Sequence, residues 1–275
     1  WRYLEPLFVG SDEVKRELPE DSERFAGGHA DVIEILATAG ATKNVKEACN
    51  LPGLMKRLEG LLALLEKCKK ALDDFLAGKR AEFPRFYFVS DPDLLDILSN
   101  GSNPRKVMRH VTKIFLATGK IVLDERPTAK RFITCVGKED LPFDPPVQLN
   151  GKVEKYLQVI LDGVRGTLAK ALDRALQRFP TKPRTEWLMD RRDDGAAEDP
   201  AQISLLVCGM DYVRGVEEAF RKLEGGDANA LREYSTEHIA KLNELIRLTR
   251  TKLAKSDRSR IMCAITLDAH GRDVL

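Results

Sequence analysis

Leu51, Leu54, Leu58, Leu61, Leu65, Cys68, Leu72 and Phe75 recur three and four residues apart, a spacing that an α-helix returns to one face and a strand does not. Leu62 and Leu76 widen the stripe. A strict seam suits a coiled coil, whereas a widened one suits a rod in an antiparallel bundle, and similar helices nearby favour the bundle. A second long helix is expected from Asn150, a good cap, burying Leu157, Leu161, Val164, Leu168, Ala171, Ala175 and Phe179 before Pro180 and Pro183 stop it. A third begins at Asp199-Pro200 and places Ile203, Val207, Met210, Val213, Val216, Phe220 and Leu223 on one side. Gly225-Gly226-Asp227 ends it and starts a fourth, which carries Leu231, Tyr234, His238, Leu242, Leu245, Thr249 and Leu253. The short turn predicts an antiparallel hairpin of the third and fourth helices.

Between Ala129 and Leu149 the period changes. Arg131-Phe132-Ile133-Thr134-Cys135-Val136 is rich in β-formers, Gly137-Lys138-Glu139-Asp140 follows, and then a run broken by Pro142, Pro145 and Pro146. A small β-hairpin is expected. The predicted fold is mainly α, an elongated stack of antiparallel helical bundles with a β-hairpin insert near 130–149. Residues 1–128 form a first helical unit, 129–149 a β-like connector and 150–275 a second helical unit. The polar stretch Asp190–Asp199 reads as a mobile surface loop.

Of the 275 residues, 43% are hydrophobic and 32% charged, enough for one large or two to three small units with real cores. The 45 basic and 43 acidic residues leave a formal charge of only +2, so no global field points to nucleic acid or an anionic membrane. Apolar stretches such as Ile203–Cys208 are far shorter than a bilayer span. Partners are expected to be proteins. The cysteines Cys49, Cys68, Cys135, Cys208 and Cys263 are odd in number and scattered, which favours reduced core thiols in a cytosolic setting over a disulfide framework. The chain opens on Trp1 rather than Met and closes without a polar tail, and reads as a piece of something longer.

The stretch Phe83–Ser99 joins a knot of rings to a sharp helix start. Four of the 16 Phe and Tyr residues lie within Phe83–Phe88, and rings carry enough apolar area to gain from burial. After them Ser90 or Asp91 can cap a helix, Pro92 suits its first position, and Asp93 favours the positive end of its dipole. Phe83, Arg85, Phe86, Tyr87 and Phe88 are therefore the candidate residues, either as a corner packed between helices or as a docking patch or hinge.

Chemistry is harder to find. Gly119-Lys120 is followed by Ile121 and Gly151-Lys152 by Val153, so no phosphate-binding loop is completed. Dinucleotide, nucleophile-elbow and zinc-protease signatures are missing, and no Cys-x2-Cys pair accompanies the separated His29, His110, His238 and His270. No catalytic, cofactor or metal residue is assigned. Asp268-x-His270 with Asp273 is the best metal-like pattern, but an amphipathic terminus with ordinary hydrogen bonds explains it more simply. His238 lies inside an apolar stripe and reads as a satisfied core histidine. His110 reads as solvated. Arg105, Lys106, Arg109 and Lys113, like Lys67, Lys69 and Lys70, read as solvated helix faces, and Asp73-Asp74 and Asp193-Asp194 as solvated charges.

Several segments together resemble one family. They are Trp1-Arg2-Tyr3-Leu4-Glu5-Pro6-Leu7-Phe8 with Arg16-Glu17-Leu18-Pro19-Glu20, Phe83-Pro84-Arg85-Phe86-Tyr87-Phe88-Val89-Ser90 with Asp93-Leu94-Leu95-Asp96-Ile97-Leu98-Ser99, Val153-Glu154, and Thr266-Leu267-Asp268-Ala269-His270-Gly271-Arg272-Asp273-Val274. In this order they resemble the linker of dynein heavy chains, which precedes the ring of ATPase modules. Val9-Gly10-Ser11-Asp12 and Asn100-Gly101-Ser102-Asn103-Pro104-Arg105-Lys106 are similar to axonemal, outer-arm chains rather than cytoplasmic ones.

The resemblance implies a helical lever that arches over the ring and alternates between bent and straight shapes during the ATP cycle. It implies ATP and Mg bound elsewhere in a parent motor, and no cofactor in this span. The partners implied are the ring modules of the same chain and other arm subunits, with the microtubule met only indirectly, in the axoneme of a cilium or flagellum. A lever must be stiff along its bundles and yielding at few places, so the joint is expected between the Phe83–Ser90 corner and the β-like segment ending at Leu149. The alternative is a static scaffold of spectrin-like bundles.

Overall fold

A computed structural model describes residues 1–275. In chain order the elements are α1 (Glu5–Gly10), α2 (Asp12–Glu17), α3 (Pro19–Thr42), α4 (Val45–Cys49), α5 (Leu54–Glu82), a 3-10 turn at Pro84–Phe88, α6 (Asp91–Ser99), α7 (Pro104–Val107) and α8 (Val111–Ile114). Then come β1 (Thr118–Leu123), β2 (Thr128–Thr134) and β3 (Asp140–Gln148), followed by α9 (Val153–Arg178), α10 (Arg184–Leu188), α11 (Ala201–Glu224), α12 (Ala230–Thr249) and α13 (Lys255–Val274). The fold is mainly α with a small sheet. The chain divides into two compact units, one of Trp1–Thr128 with Gln148–Ile160 and one of Ala129–Val147 with Leu161–Leu275. The segment expected to be a separate connector thus belongs, through Val147, to the second unit.

In the first unit α3 and α5 pack antiparallel. Arg57 of α5 pairs with Asp31 and Glu34 of α3 at 2.8 and 2.5 Å, while further along α5 the Cys68 thiol lies 3.7 Å from the Asp21 carbonyl. Pro19 opens α3 at a position that needs no N–H donor. Ser11 caps α2 by accepting from the Val14 N–H at 3.3 Å. Phe8 stacks on Phe25 at 5.1 Å, and the Trp1 indole donates to His29 at 3.1 Å. The long Leu-rich stripe is helical, but Leu51 precedes the helix, in the Pro52-Gly53 turn. Leu61, Cys68, Leu72 and Leu76 are buried, whereas Leu58 and Leu62 stand 44% and 59% exposed, so only part of the stripe is core.

In the second unit Trp187 is the centrepiece. It is 2% exposed, meets Phe179 edge-on at 5.0 Å, and shares a core with Ala171 and Ala175 of α9, Ile203, Val207 and Cys208 of α11, Leu245 of α12 and Ile261 and Ala264 of α13. The hairpin of α11 and α12 forms as the Gly225-Gly226 turn predicts. At one crossing the helices approach so closely that a Cβ on Gly215 would lie 2.2 Å from the Tyr234 ring, whose hydroxyl donates to the Tyr212 carbonyl at 2.9 Å.

Several expectations change. The strands are three, hydrogen-bonded in the order β1-β2-β3, not a hairpin alone. β3 accommodates Pro142, Pro145 and Pro146 because it is an edge strand and all three prolines face outward, while Leu141, Phe143 and Val147 turn inward. Val213 and Phe220, assigned to the packed side of α11, are 50% and 49% exposed. Helix α13 had no counterpart in the sequence reading, since its buried face is Asp257, Arg260, Ile261, Ala264, Asp268 and Gly271. That is a polar and small-residue face, invisible to a search for apolar periodicity. Asp190–Asp199 is pinned rather than loose: Arg191 and Ala197 form a β-bridge, and Arg178 pairs with both Asp190 and Asp199. Cys68 and Cys208 are core thiols, but Cys49 and Cys263 are exposed.

Candidate functional site

The aromatic corner lies wholly within the first unit and is divided by a single helical turn. Phe83 ends α5 in an extended conformation, and Pro84 opens the 3-10 turn. Phe83 and Phe86 are 1% and 0% exposed and meet edge to face at 5.0 Å, with Phe115 6.5 Å from Phe83. Arg85 lies over the Phe115 ring at 5.2 Å and donates to the Ile114 carbonyl at 3.4 Å. Tyr87 and Phe88 point the other way and are 66% and 75% exposed. Two rings hold the corner and two are free. Phe86→Leu is therefore expected to cost about 1.5 kcal/mol, whereas Tyr87→Ala and Phe88→Ala stay within about 0.5 kcal/mol, as denaturant titration of each variant will read.

Ser90 stands at the cap position of α6, yet its hydroxyl donates to the Asp93 carboxylate at 2.7 Å instead of accepting from the helix backbone. Asp93 also takes Lys113 at 2.7 Å, and the Lys113 and Ser90 hydrogen bonds hold its carboxyl below the usual range. His110, expected in solvent, is half-buried against Asp96 at 2.7 Å and Asp93 at 3.5 Å.

Helix α9 begins in the first unit and continues in the second. Its first two turns are fixed in the first unit: Glu154 and Lys79 of α5 pair at 2.7 Å with side chains 6% and 9% exposed. The Tyr156 hydroxyl donates to the Gly101 carbonyl at 3.0 Å, and Leu157 and Ile160 are fully buried. Burial opposes the Lys79 ammonium, but the hydrogen bond and charge of Glu154 outweigh it and raise its pKa above the ordinary lysine value. From Leu161 the helix belongs to the second unit. There Thr167 accepts from the Asp144 N–H at 3.0 Å, and Lys170 and Arg174 pair with the Asp144 carboxylate at 3.2 and 3.3 Å. Between these anchorages lie Gly163 and Gly166. A Cβ on Gly163 would come within 2.6 Å of Val147, while Gly166 faces open space.

The residues considered for metal chemistry are engaged elsewhere. Asp268 is buried in α13 and pairs with Arg184 of α10 at 2.9 Å, and His270 is exposed beyond it. His238 is 2% exposed, lies 2.9 Å from the Asp268 carbonyl and packs on Tyr212 at 4.9 Å, a satisfied core histidine. Sequence reasoning missed this buried polar cluster because its members come from four helices and no local spacing announces them. No group of three His, Cys, Asp or Glu side chains converges as a metal site.

Residues 1–175 match the family model described as dynein heavy chain, N-terminal region 2. The chain belongs to the dynein heavy chain family. It is 42% identical over its whole length to the dynein alpha chain of the flagellar outer arm of Chlamydomonas reinhardtii. It is 39% identical to the ciliary dynein beta chain of Heliocidaris crassispina and 40% identical to dynein axonemal heavy chain 17 of Homo sapiens, again over the whole chain. It spans 6% of the length of each of these heavy chains. No helix is long and apolar enough to cross a membrane.

Proposed function

We propose that this span is part of the mechanical lever of an axonemal, outer-arm dynein heavy chain, working in the axoneme of a cilium or flagellum. The lever bends where the chain passes between its compact units. ATP and Mg are handled by other parts of the heavy chain, whose ring modules and fellow arm subunits are the partners of this span. The microtubule is met only through the rest of the motor.

The observation that carries the reading is α9, anchored at its start in one unit and for the rest of its length in the other, with two glycines just beyond the division at Ile160 and Leu161. Each glycine weakens a helix interior by roughly 0.8–1 kcal/mol relative to alanine. Helices α5 and α11 carry two interior glycines each as well, but each lies within a single unit along its whole length, so bending is concentrated in α9, whose glycines fall beside the division, as force transmission requires. The remaining passages, at Thr128 and Ala129 and at Val147 and Gln148, fall in β2 and at the end of β3. The nucleotide state of the ring biases the two shapes through contacts that differ between them.

Gly166→Ala in the complete heavy chain tests this, because the added methyl meets nothing and stiffens the helix by about 1 kcal/mol. Microtubule gliding is expected to slow severalfold while ATP turnover stays within about twofold of the parent. Unchanged gliding velocity at unchanged turnover removes α9 as the joint.

A further inference from the structure

One end of the second unit holds a cavity of about 870 Å³, walled by the β2–β3 turn, the 190–199 loop and the first turns of α11 and α13. Each carboxylate that lines it is already engaged. Glu139 accepts from the Ala201 N–H at 2.8 Å and so caps α11, Asp140 pairs with Arg131 at 2.9 Å, and Asp257 turns to Arg191 and Arg260. Lys138 and Lys255 line the same cavity, are exposed and pair with no acid. The start of α13 is equally bare. Ala254 precedes it and no side-chain oxygen meets its first N–H groups, so the positive end of a 20-residue helix stands beside Lys255. A cation in a first turn is disfavoured unless an anion joins it. A buried group points the same way. Arg260 also lines the cavity and is 6% exposed. Its terminal nitrogens reach the Leu188 and Asp199 carbonyls and Asp257, but its Nε–H is buried with no acceptor. Burial, with Arg191 acting in the same sense, holds the guanidinium below the ordinary arginine range despite Asp257, Glu139 and Asp199. A buried cation so weakly compensated gains from a further negative charge beside it.

We propose that this cavity binds the phosphate group of a small aliphatic or sugar phosphate. A dianion, rather than a carboxylate, matches two unpaired lysines together with Arg260 and a bare helix start, and a phosphate monoester carries about −1.5 to −2 charges at neutral pH. Ser256 and Ser259 add hydroxyl donors on the same wall. The volume falls in the range of about 300–1,000 Å³ typical of small-molecule sites, more than a bare phosphate fills. Val136, Ala197 and Leu205 offer the organic part an apolar wall. No aromatic ring lines the cavity, so nothing there stacks a nucleobase, and the ligand class is a sugar or aliphatic phosphate rather than a nucleotide. This inference rests on the second unit alone and does not depend on how the lever bends.

Cys263, exposed and in the lining one turn beyond Arg260, reports whether the cavity is filled. In the complete heavy chain its alkylation by iodoacetamide is followed by mass spectrometry, with the exposed Cys49 of the first unit as internal control. Millimolar glucose 6-phosphate or glycerol 3-phosphate is expected to slow the reaction of Cys263 by about fivefold, the effect of filling about four-fifths of the sites, and to leave Cys49 unchanged. Glucose and glycerol are expected to have no effect, and inorganic phosphate to protect less than the esters. Lys138→Glu combined with Lys255→Glu, both at exposed side chains, is expected to abolish the protection. No slowing by either ester, equal slowing by glucose or glycerol, or protection that survives the double variant overturns the proposal. So does equal protection by inorganic phosphate, which would leave the organic part unrecognised. Neither ATP turnover nor gliding is read, so this result stands or falls apart from that of Gly166→Ala.

Discussion

Lys79→Met is expected to destabilise the first unit by about 3–5 kcal/mol, because it leaves the Glu154 carboxylate buried without its cation. The pair is short, at 2.7 Å, and both side chains are nearly out of solvent. The same pair replaced on both sides, as Lys79→Met with Glu154→Leu, is expected to recover most of that loss, since an apolar pair of similar volume avoids the desolvation of two charges. Urea unfolding of the single and double variants measures both. A double variant as unstable as the single one would show that Glu154 does something other than neutralise Lys79. The pH dependence follows from the raised Lys79 pKa. Its contribution is complete below the unfolded lysine value of about 10.4 and is lost as pH rises through the higher folded value. The difference between parent and Lys79→Met is thus constant from neutrality to about pH 10 and narrows above it.

Arg184→Met is expected to have an effect of similar size in the second unit, about 3–5 kcal/mol, through the same physics. Asp268 is 5% exposed and relies on two contacts from this guanidinium, at 2.9 and 3.0 Å. Burial disfavours the Arg184 charge, but neighbouring Cys208 and Asp268 reverse the balance and raise its pKa. Burial likewise pushes the Cys208 thiol up, although Arg184 beside it acts in the opposite sense. Adding Asp268→Asn to Arg184→Met is expected to restore at least half of the lost stability, as it removes the stranded charge while keeping the shape. The two tryptophans make the readout specific, with Trp1 in the first unit and Trp187 in the second. Arg184→Met should shift the transition followed by Trp187 and leave the one followed by Trp1, and Lys79→Met should do the reverse. Equal shifts of both would mean that the units unfold as one.

These two ion pairs also show why the sequence was legible in some places and opaque in others. The helices at 54–82, 153–178, 201–224 and 230–249 announce themselves through apolar spacing, since a face that packs on neighbours must repeat with the helical turn. α13 packs just as well, yet does so with Asp257, Arg260 and Asp268, whose partners on α10 and in the 190–199 loop lie far away in sequence. Lys79 sits on the buried side of α5 for the same reason. It reads as a surface lysine until Glu154 is brought beside it. The aromatic corner was half legible: four rings in six residues mark a place where burial is at stake, but the turn of Pro84–Phe88 decides that Phe83 and Phe86 go in and Tyr87 and Phe88 stay out.

Local chemistry along the chain was enough to specify the helical class, the antiparallel α11 and α12 hairpin, the small β insert and membership of the dynein heavy chain family, because each depends on residues within a few turns of one another or on segments in a fixed order. The assignment of the first turns of α9 to one unit and the rest to the other was decided only in three dimensions. So were the burial of charged pairs and the exposure of the α11 stripe at Leu206, Val213 and Phe220. Periodicity says that a face is apolar, whereas its cover depends on how many neighbours the fold brings to it, and α11 has an apolar side that α12 and α13 do not reach.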